Sequence, residues 1–201
     1  MEEYKDKFYE SLKNQEEVKD CKFSNINERE INLENLDITR CEFKNCKILD
    51  SNFDNSSFSN IEFINCDFSN SSFVGTSFVR VKFTNCKAVG CNFTESSLFD
   101  VSIKESNLKY INFNLTNFKN TFIEKTNFQS SSISEAKLKT VSFKEDDLQN
   151  CQLFKTSLNK IDFTTCNIDG IIVGLDDVKG MIVNNIQAIE LSKLLGIIIK
   201  D

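Results

Sequence analysis

The chain contains no proline, no histidine and no tryptophan in 201 residues. Without histidine, every catalytic triad or dyad that uses imidazole as its base is excluded, and so is every histidine-containing metal site. Without proline, irregular loops lose one of their usual turn formers. Eight cysteines are present, but no pair shows CxxC spacing, so neither a structural zinc site nor any other cofactor is expected. No apolar run approaches the length of a membrane span. The opening MEEYKDKFYE lacks the apolar region of a secretory signal. Together these absences predict a cytoplasmic protein with reduced thiols that does not engage a membrane. The net charge of -6 argues against nucleic acid as a direct ligand, because phosphates need a basic surface.

What is abundant is phenylalanine, with 19 copies. Stepping by five from Leu33 through Phe43, Phe53, Phe58, Phe63 and onward to Val183 meets an apolar residue every time. Fifteen of the 19 phenylalanines fall in this frame, counting Phe23, and no loop interrupts it. A period of five fits neither an α-helix nor a plain strand, so each five-residue unit must carry one inward apolar centre. The residue two before the centre is a second inward position. All eight cysteines sit there, and most of its other occupants are small, such as Ser51, Ser56, Thr76 and Thr116. Large and small side chains then alternate in a narrow, close-packed interior. The cysteines are read as small hydrophobes rather than as a metal ladder or redox relay. Two residues break the pattern. Glu28 stands at a centre and is read as the mark of an incompletely closed first coil. Asp146 stands at a small inward position, where neighbouring hydroxyls or amides are expected to satisfy it.

Units such as CDFSN, SSFVG, CNFTE, TNFKN and CQLFK resemble the pentapeptide-repeat family over about 160 residues. The resemblance implies an all-β fold, a right-handed quadrilateral β-helix with four units per square coil. A second period in the small-position residues supports four unequal sides. Cys46, Cys66 and Cys86 recur every 20 residues on one side, and Ser56, Thr76, Ser96 and Thr116 on another. About eight coils are expected across residues 21–183, flanked by an N-terminal helical cap (1–20) and a C-terminal helix and strand (184–201). The cap is read from Tyr4, Phe8 and Leu12, which form one helical stripe.

The tail leaves the five-residue frame. Ile186, Ile189, Leu191, Leu194 and Leu195 fall at helical spacing, with Asn184 or Asn185 as the cap and Gly196 suited to a left-handed C-terminal position. Ile197–Ile199 read as a short strand. So apolar a segment at a rod end predicts an interface. The pattern Gln187-Ala188, Leu191, Leu194-Leu195-Gly196-Ile197 resembles the tail of Qnr-type pentapeptide proteins. That resemblance implies a homodimer joined tail to tail, with Ile186, Ile189, Leu191, Leu194, Leu195, Ile197 and Ile199 at the interface. It further implies a non-enzymatic partner of the type II topoisomerases DNA gyrase and topoisomerase IV, a DNA mimic that relieves quinolone inhibition. Many such proteins carry loops within the repeat, whereas the frame here is unbroken.

Charge summed by side from residue 21 to 180 gives nets of 0, -3, -3 and +3. Two adjoining sides are therefore acidic, and Asp50, Asp54, Asp67 and Glu95 on them are the candidate partner-binding residues. Charge on the basic side, including Lys137 and Lys139, is expected to contribute little to that binding. The alternative is a structural or adaptor rod for an unrelated protein, with the stacked Val79 and Phe99 as its contact strip.

Overall fold

The computed structural model describes residues 17–200. The helix expected around Tyr4, Phe8 and Leu12 lies outside those residues. The strands are β1 (Val18–Lys19), β2 (Lys22–Ser24), β3 (Asn27–Arg29), β4 (Asp37–Thr39), β5 (Glu42–Lys44), β6 (Lys47–Leu49), β7 (Ser57–Ile64), β8 (Ser77–Thr84), β9 (Ser97–Phe99), β10 (Ser102–Lys104), β11 (Asn117–Glu124) and β12 (Lys137–Lys144). All pair in parallel, each residue with the one 20 positions on, as in Phe58↔Phe78 and Ile103↔Ile123. The longest strand ladder steps from Val18 to Leu138. Single bridges carry a neighbouring column through eight levels, from Asn32 to Ile172. The chain is thus a quadrilateral solenoid. At a strand spacing of about 4.8 Å its height is roughly 38 Å. The ladder begins at Val18, inside the segment read as the cap.

The five-residue frame has three structural causes. The first is the centre column, where rings stack from coil to coil: Phe53 on Phe73 at 4.7 Å and Phe58 on Phe78 at 5.1 Å. Ala88 interrupts this series and leaves an apolar cavity of about 20 Å³ walled by Phe68, Phe83, Cys86, Phe93 and Leu108.

The second cause is hydrogen bonding at the small inward position. There a hydroxyl or thiol donates to the carbonyl of a centre residue 23 positions earlier, as Thr76 Oγ1 does to Phe53 (2.8 Å) and Cys91 Sγ to Phe68 (2.9 Å). A hydroxyl also accepts from the backbone N–H one coil below, as Ser56 Oγ does from Leu36 (3.1 Å). These groups therefore satisfy main-chain atoms that the strand ladder leaves out. No buried side-chain nitrogen or oxygen lacks a partner among the described residues. The sequence reading took these residues for volume fillers alone.

The third cause is the corner. Every fifth residue from Asp20 to Lys160 has φ between 49° and 68°, the left-handed region. Asparagine and glycine tolerate it best, which accounts for Asn45, Asn55, Asn65 and Asn85 and for Gly75 and Gly90. A Cβ on Gly75 would lie 2.8 Å from the Asn55 side-chain oxygen, so both backbone angle and space require glycine there.

Glu28 does not mark an open coil. It pairs in register with Ile48, and Glu30 N–H donates to Leu49 O at 3.0 Å. Its side chain is only half-buried, so the ladder closes without enclosing the carboxylate. The tail helix α1 spans Asn185–Ser192. Asn184 caps it and Gln187 completes a capping box. A 3₁₀ turn over Lys193–Leu195 follows, and Gly196 is left-handed (φ 70°). Ile197–Ile199 form no strand. A strand needs a neighbouring edge to hydrogen-bond, and these residues pair with no described strand or bridge.

Candidate functional site

The acidic candidates occupy three structural positions. Asp50 is at a left-handed corner, half-buried, with Arg29 Nε at 2.8 Å and the Asn70 amide donating to it at 3.1 Å. Asp54 follows a centre residue and turns back onto the next coil, accepting from Ser72 Oγ (2.5 Å) and Val74 N (2.8 Å). Asp67 lies at an isolated bridge position between Lys47 and Lys87 and accepts from Ser69 N (3.0 Å) and Ser69 Oγ (2.6 Å). Glu95, on a corner, is exposed. The structure therefore distributes these four carboxylates along adjoining sides. Three are partly committed to local hydrogen bonds or an ion pair, and Glu95 is open to a partner. Asp146 also lies on the acidic side by sequence, but it points inward and adds no surface charge.

Elsewhere, charges one coil apart neutralise each other. Arg40 pairs with Asp20 (2.6 Å), Lys82 with Glu62 (2.7 Å) and Lys155 with Glu135 (3.5 Å). Glu124 lies between Lys104 (3.1 Å) and Lys144 (2.7 Å), and these lysines hold its carboxyl down at about 2.

At the C-terminal end, Gln187 closes the rod. Its amide donates to Phe163 O and Cys166 O, both at 2.8 Å, and its oxygen accepts from Asn184 N at 2.9 Å. The side chain is 7% exposed. Sequence reasoning noted Gln187 only as part of the tail pattern. The capping spacing from Asn184 was the signal that could have revealed its role. Leu191 is half-buried against the core. Ile186, Ile189, Leu194, Leu195, Ile197 and Ile199 are exposed, as is Ile198 at 84%. The apolar residues read from sequence thus divide into one that docks the helix and six that face outward together with Ile198.

All eight cysteines are buried and unbridged. Burial pushes the Cys91 and Cys151 thiols up to about 12, so they are poor nucleophiles at neutral pH. Among the described residues, no group of three or more acidic or thiol side chains is placed to hold a metal ion. No described helix is long and apolar enough to cross a membrane. Val79 and Phe99 stack in register, with the Lys119 ammonium 5.5 Å from the Phe99 ring.

Residues 36–113 match the family model described as the pentapeptide repeat region. No curated protein matches the chain. Among solved structures, full-length QnrB1, a plasmid-mediated fluoroquinolone resistance protein, aligns at 18% identity and TM-score 0.44, covering 87% of this chain and 100% of that one. HetL from the cyanobacterium Nostoc sp. strain PCC 7120, a pentapeptide repeat protein involved in heterocyst differentiation regulation, aligns at 13% identity and TM-score 0.36, covering 83% and 91%. A pentapeptide repeat protein of the Arabidopsis thaliana thylakoid lumen aligns at 17% identity and TM-score 0.33, covering 64% and 75%. The unbroken frame and the ladders that pair residues with those 20 positions on make this chain a β-solenoid similar to pentapeptide repeat proteins, with a pentapeptide repeat region over residues 36–113.

Proposed function

We propose that this rod is a non-enzymatic binder of type II topoisomerases that acts as a tail-to-tail homodimer and protects them from quinolones by mimicking DNA. The observation that carries the reading is the tail. A helix locked onto the rod end by Gln187 presents Ile186, Leu195, Ile197, Ile198 and Ile199 to solvent. Exposed apolar surface of that extent marks an interface. Self-association there buries it and doubles the rod to roughly 75 Å at about 4.8 Å per coil. A rod of that length, with carboxylates on two adjoining sides, suits a basic groove built for duplex DNA.

Dimerisation and docking are separable. Leu195→Asp with Ile198→Asp is expected to give a folded monomer by analytical ultracentrifugation, because both side chains are exposed. Leu191→Asp should also loosen the helix, because Leu191 packs on the core. A wild-type protein that sediments as a monomer at micromolar concentration contradicts the dimer. The function is tested by gyrase supercoiling with a quinolone. Wild-type protein should restore supercoiling and the tail variant should not. An unchanged quinolone response in the presence of wild-type dimer rejects the proposal.

One observation favours an adaptor rod for an unrelated protein. Asp50, Asp54 and Asp67 spend part of their hydrogen-bonding capacity within the rod. In that case the Val79–Phe99 strip is the first surface to alter.

A further inference from the structure

Three features meet at one level of the rod. The first is a thiol ladder. Cys46, Cys66 and Cys86 lie one coil apart on one side, and the bonds from Asp67 N to Cys46 O and from Lys87 N to Cys66 O, both 2.8 Å, hold them in register. Stacked residues are about 4.8 Å apart, inside the roughly 4.4–6.8 Å that separates the Cα atoms of a disulfide. The second is thin packing beside Cys86. Its five-residue unit has Ala88 at the centre, where the coils below and above have Phe68 and Leu108, and Gly90 at the corner. Cys86 forms part of the wall of the cavity of about 20 Å³ that Ala88 leaves. The third is the end of the ladder. Above Cys86 stands Ser106, whose Oγ accepts from Cys86 N at 3.0 Å, so Cys66 is the one thiol stacked on Cys86.

A thiol in a close-packed interior is inert for two reasons. Burial disfavours the thiolate, and no room is left beside the sulfur for an added atom. Cys91 and Cys151 show the first effect. Cys86 escapes both. A hydrogen bond from Cys66 favours its thiolate and holds the thiol below its ordinary value, against burial, which acts the other way. The cavity supplies the room. A space of that size takes about one water-sized molecule, and so one added oxygen atom, while bulky or charged oxidants are shut out.

We propose that Cys86 and Cys66 form a dithiol that hydrogen peroxide oxidises, with Cys86 as the attacking thiol and Cys66 as the resolving one. The Cys86 sulfur attacks one peroxide oxygen. The S–O bond forms as the O–O bond breaks, and the departing hydroxide takes the thiol proton and leaves as water. The product is a sulfenic acid housed in the cavity. The electron pair lost by sulfur is the pair that reduces the peroxide. The Cys66 sulfur then attacks the Cys86 sulfur. The S–S bond forms, the S–O bond breaks, and the hydroxyl leaves with the Cys66 proton as a second water. Two neighbouring coils are then covalently joined. The other six cysteines keep the role of small hydrophobes. This site lies inside the rod and does not depend on the topoisomerase reading.

The test treats the folded full-length protein with hydrogen peroxide and maps its cysteines by peptide mass spectrometry without reductant. Wild-type protein should lose about 2 Da and yield a Cys66–Cys86 linkage that dithiothreitol reverses. Cys66→Ser should stop at a sulfenic acid on Cys86, trapped with dimedone, and Cys86→Ser should give neither product. Both variants should fold, because serine fills the same inward position at Ser51 and Ser56. Ala88→Val, which occupies the cavity, should slow oxidation of Cys86 by about tenfold or more. Oxidation of all eight cysteines at similar rates, the mark of entry through global unfolding, overturns the proposal. So does a first linkage between any other pair, an unchanged rate in Ala88→Val, or a Cys86 that peroxide leaves reduced.

Discussion

Phe78→Asp is expected to leave no folded rod. Phe78 is fully buried at mid-height, stacked on Phe58 at 5.1 Å and packed on Phe93 at 5.4 Å and on Phe73 and Phe83 at 5.9 Å. Removing the ring costs about 3–5 kcal/mol. An unpaired carboxylate in its place costs several kcal/mol more. The sum is comparable with the roughly 5–15 kcal/mol of net stability usual for a protein. In a solenoid each coil rests only on its neighbours, so a failed central coil also separates the two halves of the stack. Circular dichroism and gel filtration should show an unfolded or aggregated chain. Phe122→Asp serves as the control. That ring is 56% exposed, and its loss should change stability by no more than about 0.5 kcal/mol. A soluble, cooperatively melting Phe78→Asp protein would remove the central column as the basis of the fold.

The second large effect is a pH dependence set by Asp146. Its carboxylate is 2% exposed and accepts from Thr126 N (2.7 Å) and Lys144 N (2.8 Å). Burial pushes it from an ordinary 3.8 up to about 7, against the two amides, which favour the anion. Between those values the folded state holds a proton that the unfolded state has released. Stability from this group is therefore greatest below about pH 4, falls as pH rises through 7 and is flat above. Urea melts should show the rod about 2 kcal/mol less stable at pH 8.0 than at pH 5.5. Asp146→Ser should abolish that difference and stabilise the protein at pH 8.0, because a hydroxyl there makes the bonds seen at Ser56. Glu124, half-buried and held low by its lysines, titrates well below this window. Equal slopes for wild type and Asp146→Ser would show that the two amides outweigh burial.

The frame from Leu33 to Val183 was legible because each centre is a large apolar residue. Four unequal sides were legible because the small positions repeat every 20 residues. The corner was not read, although Asn25, Asn35, Asn45 and Asn55 display it, because asparagine on a surface also reads as mere polarity. Tyr110, Leu115 and Thr140 occupy the same left-handed geometry without any favourable propensity, imposed there by the coils on either side. Charge could be summed by side, but its availability could not. Nothing in the residue type of Asp54 tells that its oxygen accepts from Val74 N rather than facing solvent. Asp146 entered the charge sum of its side, but its inward position was legible from the frame, and two backbone amides satisfy it as expected. The expected strand at Ile197–Ile199 failed for a related reason: strand structure belongs to a pair of segments, and the sequence of one does not show whether a neighbour is present. Helix α1 and the 3₁₀ turn after it were legible because the cap at each end, Asn184 and Gly196, is local.

The most direct test of the proposed function is the binding of the purified protein to DNA gyrase and to topoisomerase IV, measured by surface plasmon resonance at low and physiological salt with a duplex DNA competitor. The account predicts saturable binding that the duplex displaces, that weakens with salt and that falls further on Glu95→Lys. Absence of binding at low salt, or binding that the duplex leaves unchanged, would contradict it.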